Sequence, residues 1–440
     1  MSFIAAIAPG CADFSRAACT FADIAPGTTE TAARLGAESP RTGIGAAVFA
    51  PIRPRPQCRT GSLGFARRSA KVLMSSVAVT GATGFLGLHL VRELLVRHHD
   101  LVALVRDPGA LDRIARFLEL VGEPPRLLDA LPRRIRIVES DVSLPMLGLS
   151  RTAFHRLADE VDVIWHSAAS TELHGDLESL WPINVDGTRH ILELASAGQR
   201  LPLLCHVSTA FVAGARREGV VYESELNGSA GFENAYEKSK FEAETLVRDW
   251  SRRHDRAVVV ARPSVLVTAR PPHADLPPHT LLSLGKIIRD AATRLCGTSR
   301  AVVRVIGYPQ GHLNFVPVES AAQTLARLTE AEHPRRMATY HVVHGHDVSV
   351  RVLMDLMETL APLQMTMESS AHAERTALET FLDRSPTAAM LSHRRRYDDT
   401  RTVSLLGPPA SPVRIDLDYL SAGIGAAPVA PRALRLGDGS

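Results

Sequence analysis

Three glycines spaced three apart, set between an apolar β-branched run and an amphipathic helical pattern, constrain this chain more than any other feature. The run Val77-Ala78-Val79-Thr80 leads into Gly81-Ala82-Thr83-Gly84-Phe85-Leu86-Gly87, after which Phe85, Leu88, Leu90, Val91, Leu94 and Leu95 share one apolar side. The pattern predicts a strand, a tight turn and a helix N-terminus. In such a unit the first glycine turns the chain, the second admits a pyrophosphate to the backbone, and the third packs helix on sheet. Free N–H groups and the helix dipole favour the phosphates. Gly81, Thr83, Gly84, Phe85, Leu86 and Gly87 are therefore expected around a dinucleotide.

Further strands are expected at Leu101–Val105, Ile135–Val138, Val161–Trp165, Leu203–Val207 and Ala257–Val260. Helices are expected over Pro108–Val121, Leu177–Ala197 and Ala235–Ser251, and later over Leu281–Leu295 and Val350–Leu360. Strands alternating with helices mean a parallel sheet covered on both faces, with the cofactor at the carboxyl ends of the strands. The expected fold is thus α/β, a Rossmann-type doubly wound parallel sheet with a small C-terminal substrate-binding elaboration. The expected division is an extension over 1–73, a cofactor-binding and catalytic domain over 74–345, an interleaved C-terminal part over 346–420, and a flexible tail over 421–440.

Residues 1–73 lack periodicity and are rich in Ala, Gly, Pro and Arg. They read as a disordered extension, an acid-poor targeting peptide, or a translated leader upstream of Met74. Nine basic and four acidic groups fall within the first 75 residues, so the remainder is close to neutral and no nucleic-acid partner is expected. No apolar run reaches the roughly 18 residues of a membrane span. The five cysteines lack metal-ligand spacing, so neither a metal site nor a disulfide framework is expected. A reducing cytoplasm is the expected location, with Cys205 as a core residue.

Arg106 closes the second strand, where an acidic residue would bind the ribose 2′-hydroxyl of NAD and an arginine pairs with a 2′-phosphate. NADP(H) is favoured over NAD(H), although neighbouring Asp107 offers the opposite reading. Asp141 and Val142 follow the third strand; Asp141 suits either the adenine amino group or a helix cap. Ser167, Ala168 and Ala169, small residues after the fourth strand, leave room for the cofactor. His166 reads as a packed histidine and Asn184 as a structural bridge.

Tyr236 and Lys240 stand four apart on a predicted helix and share one face. A nearby ammonium lowers the pKa of a phenol and suits it to acid–base work. Thr209, at the end of the fifth strand, can hydrogen-bond the same substrate oxygen. Only four lysines occur among the fifty basic residues, so the spacing is informative.

Here the chain resembles the extended short-chain dehydrogenases/reductases. Thr80–Gly87 is similar to that family's TGxxGxxG and Tyr236–Lys240 to its YxxxK. Within the superfamily it resembles the thioester reductases, including fatty acyl-CoA reductases and the terminal reductase domains of carboxylic acid reductases and nonribosomal peptide synthetases. Leu104–Arg106, Asp141–Ser150, Val161–Ala169, Asn184–Thr188, Val207–Thr209 and Leu313–Val318 continue the match, over about residues 76–345.

The resemblance implies NADPH-dependent reduction of an acyl thioester, CoA- or carrier-bound, to an aldehyde or alcohol. Thr209, Tyr236 and Lys240 would form the catalytic set, and Pro263 would adjoin the cofactor. Ser264 stands where extended members often carry glycine, and Ala213 where a tyrosine is frequent. Tyr397–Gly407 resembles a late segment that closes over the substrate. His393-Arg394-Arg395-Arg396 reads either as a site for CoA phosphates or, by preference, as a solvated basic run. Two other readings stay open: an enzyme of this fold acting on a ketone, secondary alcohol or sugar nucleotide, and a non-catalytic NADP-binding protein.

Overall fold

The computed structural model describes residues 76–426 except 99, 297–299, 332–335, 371–373, 386 and 409–412. The expected extension over 1–73 and the tail beyond 426 lie outside the described residues.

Seven parallel strands form the main sheet: β1 (Val77–Thr80), β2 (Leu101–Val105), β3 (Ile135–Glu139), β4 (Val163–His166), β5 (Leu203–Val207), β6 (Val258–Pro263) and β7 (Met337–Val342). Their order is β7-β6-β5-β4-β1-β2-β3, so the chain reverses direction across the sheet between β1 and β4. Such a switch point is where a doubly wound sheet opens a crevice for a ligand. The seventh strand escapes the sequence reading because Met337-Ala-Thr-Tyr-His-Val mixes polar and apolar residues. It is nevertheless buried beside β6.

Two apolar layers cover the sheet. On one face α1 (Phe85–Arg97) and a helix over Ala110–Leu120 pack with Leu88, Leu94, Ile114 and Phe117. On the other, α2 (Gly187–Ala197) and α3 (Ala235–His254) contribute Ile191, Leu194 and Val247. The expected helix over Leu177–Ala197 is broken into Leu177–Trp181, a π-helical turn over Pro182–Asp186, and α2. Wider π turns re-aim side chains within a helix. Here Asn184 is buried, bridging Ser170 N at 2.8 Å, Ser170 O at 3.0 Å and Ser239 Oγ at 2.9 Å. That is the structural role expected of it.

A second core joins α4 (Thr280–Cys296), strands Ala301–Ile306 and Leu363–Glu368, and α6 (Val350–Leu360), while α5 (Val318–Leu328) returns to the main sheet. Its residues begin at Val267, well before position 346. The start of the expected tail is packed rather than frayed: Ser421 and Ile424 are buried, and Gly423 O accepts from His279 Nε2 at 2.9 Å.

Two other expectations on the C-terminal side are corrected. His393–Arg396 is not a solvated run, because strand alternation buries His393 and Arg395 and exposes Arg396. Arg395 donates to Gly214 O, to Arg216 O at 2.9 Å and to Tyr397 Oη at 2.8 Å. The segment 397–407 does not close over the cleft either. Buried Glu223 gathers the N–H groups of Arg401 and Thr402 at 2.8 and 3.3 Å, and Leu405 and Leu406 pack on the main core.

Candidate active site

The crevice at the switch point is built from three strand ends. Thr80, buried at the end of β1, is hydrogen-bonded through Oγ1 to His166 Nδ1 at 2.9 Å and accepts from Ser167 N and Ala168 N at 3.1 Å each. This knits the ends of β1 and β4 together. Burial pushes His166 down to about 3, so it is a neutral packed imidazole, as expected. Gly81 then turns with φ +70°, and a Cβ there would lie 2.7 Å from Ala168 N. A Cβ on Gly87 would lie 1.8 Å from Gly81 O, so the helix can approach the turn only without one. No side chain caps α1 at Gly84, which leaves first-turn N–H groups for an anion.

Gly81, Gly84, Phe85, Leu86 and Gly87 line the resulting cleft, as do Ser167, Ala169 and Pro263. Ala168 stands behind them through its contact with Thr80. Thr83 faces an adjoining hollow shared with Arg113 and Arg116. Arg106 and Asp141 lie at the strand ends beyond the cleft wall. Arg106 is exposed and makes no hydrogen bond or ion pair among the described residues. Asp107 is already engaged, accepting from Gly109 N at 2.8 Å and Arg113 Nη2 at 2.9 Å.

Asp141 is a cap: Oδ1 accepts from Ser143 N at 2.9 Å and Ser143 Oγ at 2.7 Å. Burial raises its pKa, but those bonds and the charge of Arg106 outweigh it and hold the carboxyl low. Val142 packs against α2 and its carbonyl accepts from His190 Nδ1 at 2.8 Å; it does not line the cleft.

Thr209, Tyr236 and Lys240 meet on the cleft's other wall. Asn234 starts α3 by accepting from Glu237 N at 2.9 Å, and Glu237 Oε2 returns the contact to Glu233 N at 3.0 Å. These two bonds fix the start of α3, and with it Tyr236 in its first turn. Thr209 Oγ1 accepts from Phe211 N at 3.2 Å and donates to Pro263 O at 3.5 Å. Lys240 Nζ donates to Val207 O at 2.8 Å.

The electrostatics differ from the expectation of a lowered phenol. Burial pushes Tyr236 up to about 12, against the lowering effect of the neighbouring Thr209 hydroxyl. Burial brings Lys240 down to about 8, partly offset by the charge of Glu244. The phenol is therefore held protonated at neutral pH.

Several cleft residues carry no sequence signal. Phe211, His279 and Met390 reach it only through tertiary packing. Ser264 lines it too, but its hydroxyl turns away to Asn314 Oδ1 at 2.7 Å. Glu237 is pushed up to about 7, mainly by burial. Its Oε1 and the Nδ2 of Asn234 are buried without a partner among the described residues. The whole cleft encloses about 1310 Å³, including the part open to solvent.

A reversed-direction parallel sheet, an uncapped glycine turn at its switch point, and a Tyr/Lys helix opposite define an extended short-chain dehydrogenase/reductase. The model of the male sterility protein NAD-binding family matches residues 79–325, and the chain belongs to that family. The terminal R domain of the myxalamid PKS-NRPS biosynthetic pathway is 27% identical, with a TM-score of 0.62 over 82% of this chain and 96% of that one. Trichosetin synthetase PKS-NRPS1 of Gibberella fujikuroi is 33% identical over 196 residues, 44% of this chain and 4% of the synthetase. Fatty acyl-CoA reductase wat of Drosophila melanogaster is 32% identical over 171 residues, 37% of this chain and 33% of that protein. The chain thus spans a third or less of these two curated relatives. No helix among the described residues is long and apolar enough to cross a membrane.

Proposed function

We propose that this protein is an NADPH-dependent reductase of acyl thioesters, carried on CoA or on a carrier protein, and that the first product is an aldehyde. The observation that carries the reading is that Thr209, Tyr236 and Lys240 line one wall of the cleft that begins at the glycine turn. The likeness to a terminal R domain and to a fatty acyl-CoA reductase supports it.

The glycine turn suits a pyrophosphate, because a Cβ at Gly81 would fill the cradle and the first turn of α1 is uncapped. Arg106, exposed and without a hydrogen bond or ion pair among the described residues, suits a 2′-phosphate. NADPH, when bound, supplies the hydride. Tyr236 donates its phenolic proton to the carbonyl oxygen as the carbon is reduced, and Thr209 orients that oxygen. Lys240, held by Val207 O, supplies positive charge beside the phenolate that remains. The hemithioacetal then loses its hydroxyl proton back to Tyr236 as the C–S bond breaks, and the sulfur leaves as a thiol after taking a proton from solvent.

The test is oxidation of NADPH by the purified protein with a panel of acyl-CoAs, beside Tyr236→Phe. Consumption with an acyl class, lost in the variant and much weaker with NADH, is the expected result. Tight NADPH binding with no thioester reduced, but with a ketone or sugar nucleotide turned over, overturns it.

A further inference from the structure

Beside the cleft lies a second cavity of about 1060 Å³, including the part open to solvent, walled almost entirely by aliphatic and methionine side chains. It shares Leu173, Val265, Thr280 and Met390 with the cleft, so the two spaces adjoin at those residues. We propose that this cavity takes the acyl chain, and that the substrates are thioesters of straight aliphatic acids of about ten carbons or more. The inference rests on the thioester-reductase reading and narrows its substrate class.

One wall is a stripe of α4. Thr280, Leu281, Leu284, Ile287 and Ile288 recur at helical spacing and all face the cavity. From Thr280 at the junction to Ile288 the helix advances roughly 12 Å. An extended chain gains roughly 1.2 Å per bond, so that wall accommodates about ten carbons. Opposite stand Met354, Met357 and Met365, unbranched side chains that adapt to a flexible occupant.

Beyond Thr280 at the junction, the polar lining is already spent. Asp383 takes Arg375 Nη2 at 2.7 Å and Nε at 2.8 Å, and Ser385 is hydrogen-bonded to Thr387 at 2.8 Å. Among the described residues, none of the buried polar atoms lacking partners lines this cavity. Two of them, Asn234 Nδ2 and Glu237 Oε1, line the cleft instead. Beyond Thr280 at the junction, a polar or charged acyl group would find no free partner in the cavity and would be desolvated there at a cost.

The experiment compares kcat and KM for the full-length protein with NADPH and acetyl-, hexanoyl-, decanoyl-, myristoyl- and succinyl-CoA. Ile287→Trp and Met357→Trp are run beside it; Ile287 is partly exposed, so its variant tests the cavity even if Met357→Trp does not fold. Binding of decanoyl-CoA is measured separately by calorimetry. The expected result is a kcat/KM rising up to about fourfold per methylene and levelling near ten carbons. Each variant should raise KM for decanoyl-CoA about tenfold or more and leave acetyl-CoA kinetics unchanged.

A flat chain-length profile, or a preference for succinyl-CoA, overturns the cavity assignment and leaves the reductase reading standing. Decanoyl-CoA binding that is weakened by Ile287→Trp, without any turnover, keeps the cavity as an acyl site and overturns the reductase reading. Neither binding nor turnover overturns both.

Discussion

The guanidinium of Arg262 and the carboxylate of Glu244 meet as a bidentate pair at 2.6 and 2.9 Å, with both side chains fully buried. The pair ties the end of β6 to α3, one turn beyond Lys240. Ser208 Oγ donates to the same carboxylate at 2.7 Å, so the strand end that carries Thr209 is held by it as well. Arg262→Met would leave Glu244 without its main counter-charge in a buried site. A loss of about 3–5 kcal/mol is expected, read by urea unfolding. The double variant Arg262→Met/Glu244→Met should lose less than the sum of the single variants, because it strands no charge. Additive losses would show that the pair is not coupled.

Tyr236→Phe removes the proton donor and keeps the ring. Turnover is expected to fall by about 10²–10⁴-fold, with NADPH affinity within a fewfold of the parent. Stopped-flow reduction and fluorescence titration separate the two effects. A mild loss of turnover would shift the donor's role to another group.

Glu237 predicts a pH dependence of stability. Its folded pKa is raised to about 7, from 4.5 in the unfolded chain. Below the unfolded value both states are protonated and the contribution is fully present. As pH rises through 7 the buried carboxyl must ionise, and up to about 3 kcal/mol is lost. The difference in unfolding free energy between the parent and Glu237→Gln should therefore change between pH 4.5 and 7. A constant difference would mean that the carboxyl is already charged in the fold.

Arg106→Ala should separate the two cofactors. A charged hydrogen bond to a 2′-phosphate is worth about 1.5–3 kcal/mol, so NADPH binding should weaken about tenfold to a hundredfold. NADH binding should stay unchanged. Equal weakening of both would place Arg106 on the shared part of the dinucleotide.

Gly81→Ala tests the turn itself. The backbone there is left-handed, and the new methyl would lie 2.7 Å from Ala168 N. A lower melting temperature and weaker NADPH binding are expected together, since one turn serves both. Undiminished NADPH affinity would remove Gly81 from the cradle.

Local patterns carried the sheet, its first six strands, the glycine turn, and the Tyr236–Lys240 helix, because each depends on neighbours close in sequence. A strand's alternation, a helix's period and a glycine's freedom to turn are properties of short stretches. They made the dinucleotide cleft legible before any fold was in hand. The rest depends on contacts between segments far apart in the chain. Arg395 looks solvated in an arginine run, yet it is buried because Gly214 and Arg216 offer carbonyls 179 to 181 residues away. The phenol of Tyr236 looks destined for a lowered pKa beside a lysine. Burial outweighs that, and burial is a sum over every segment packed around it. The same holds for the apolar cavity, whose walls include α4, α6 and the 3-10 turn over Ala388–Ser392. Sequence alone determined where this chain turns and which helix sets Tyr236 and Lys240 on one face. Tertiary structure decided which charges are desolvated and what shape of substrate can reach them, since both arise only when distant segments exclude water together.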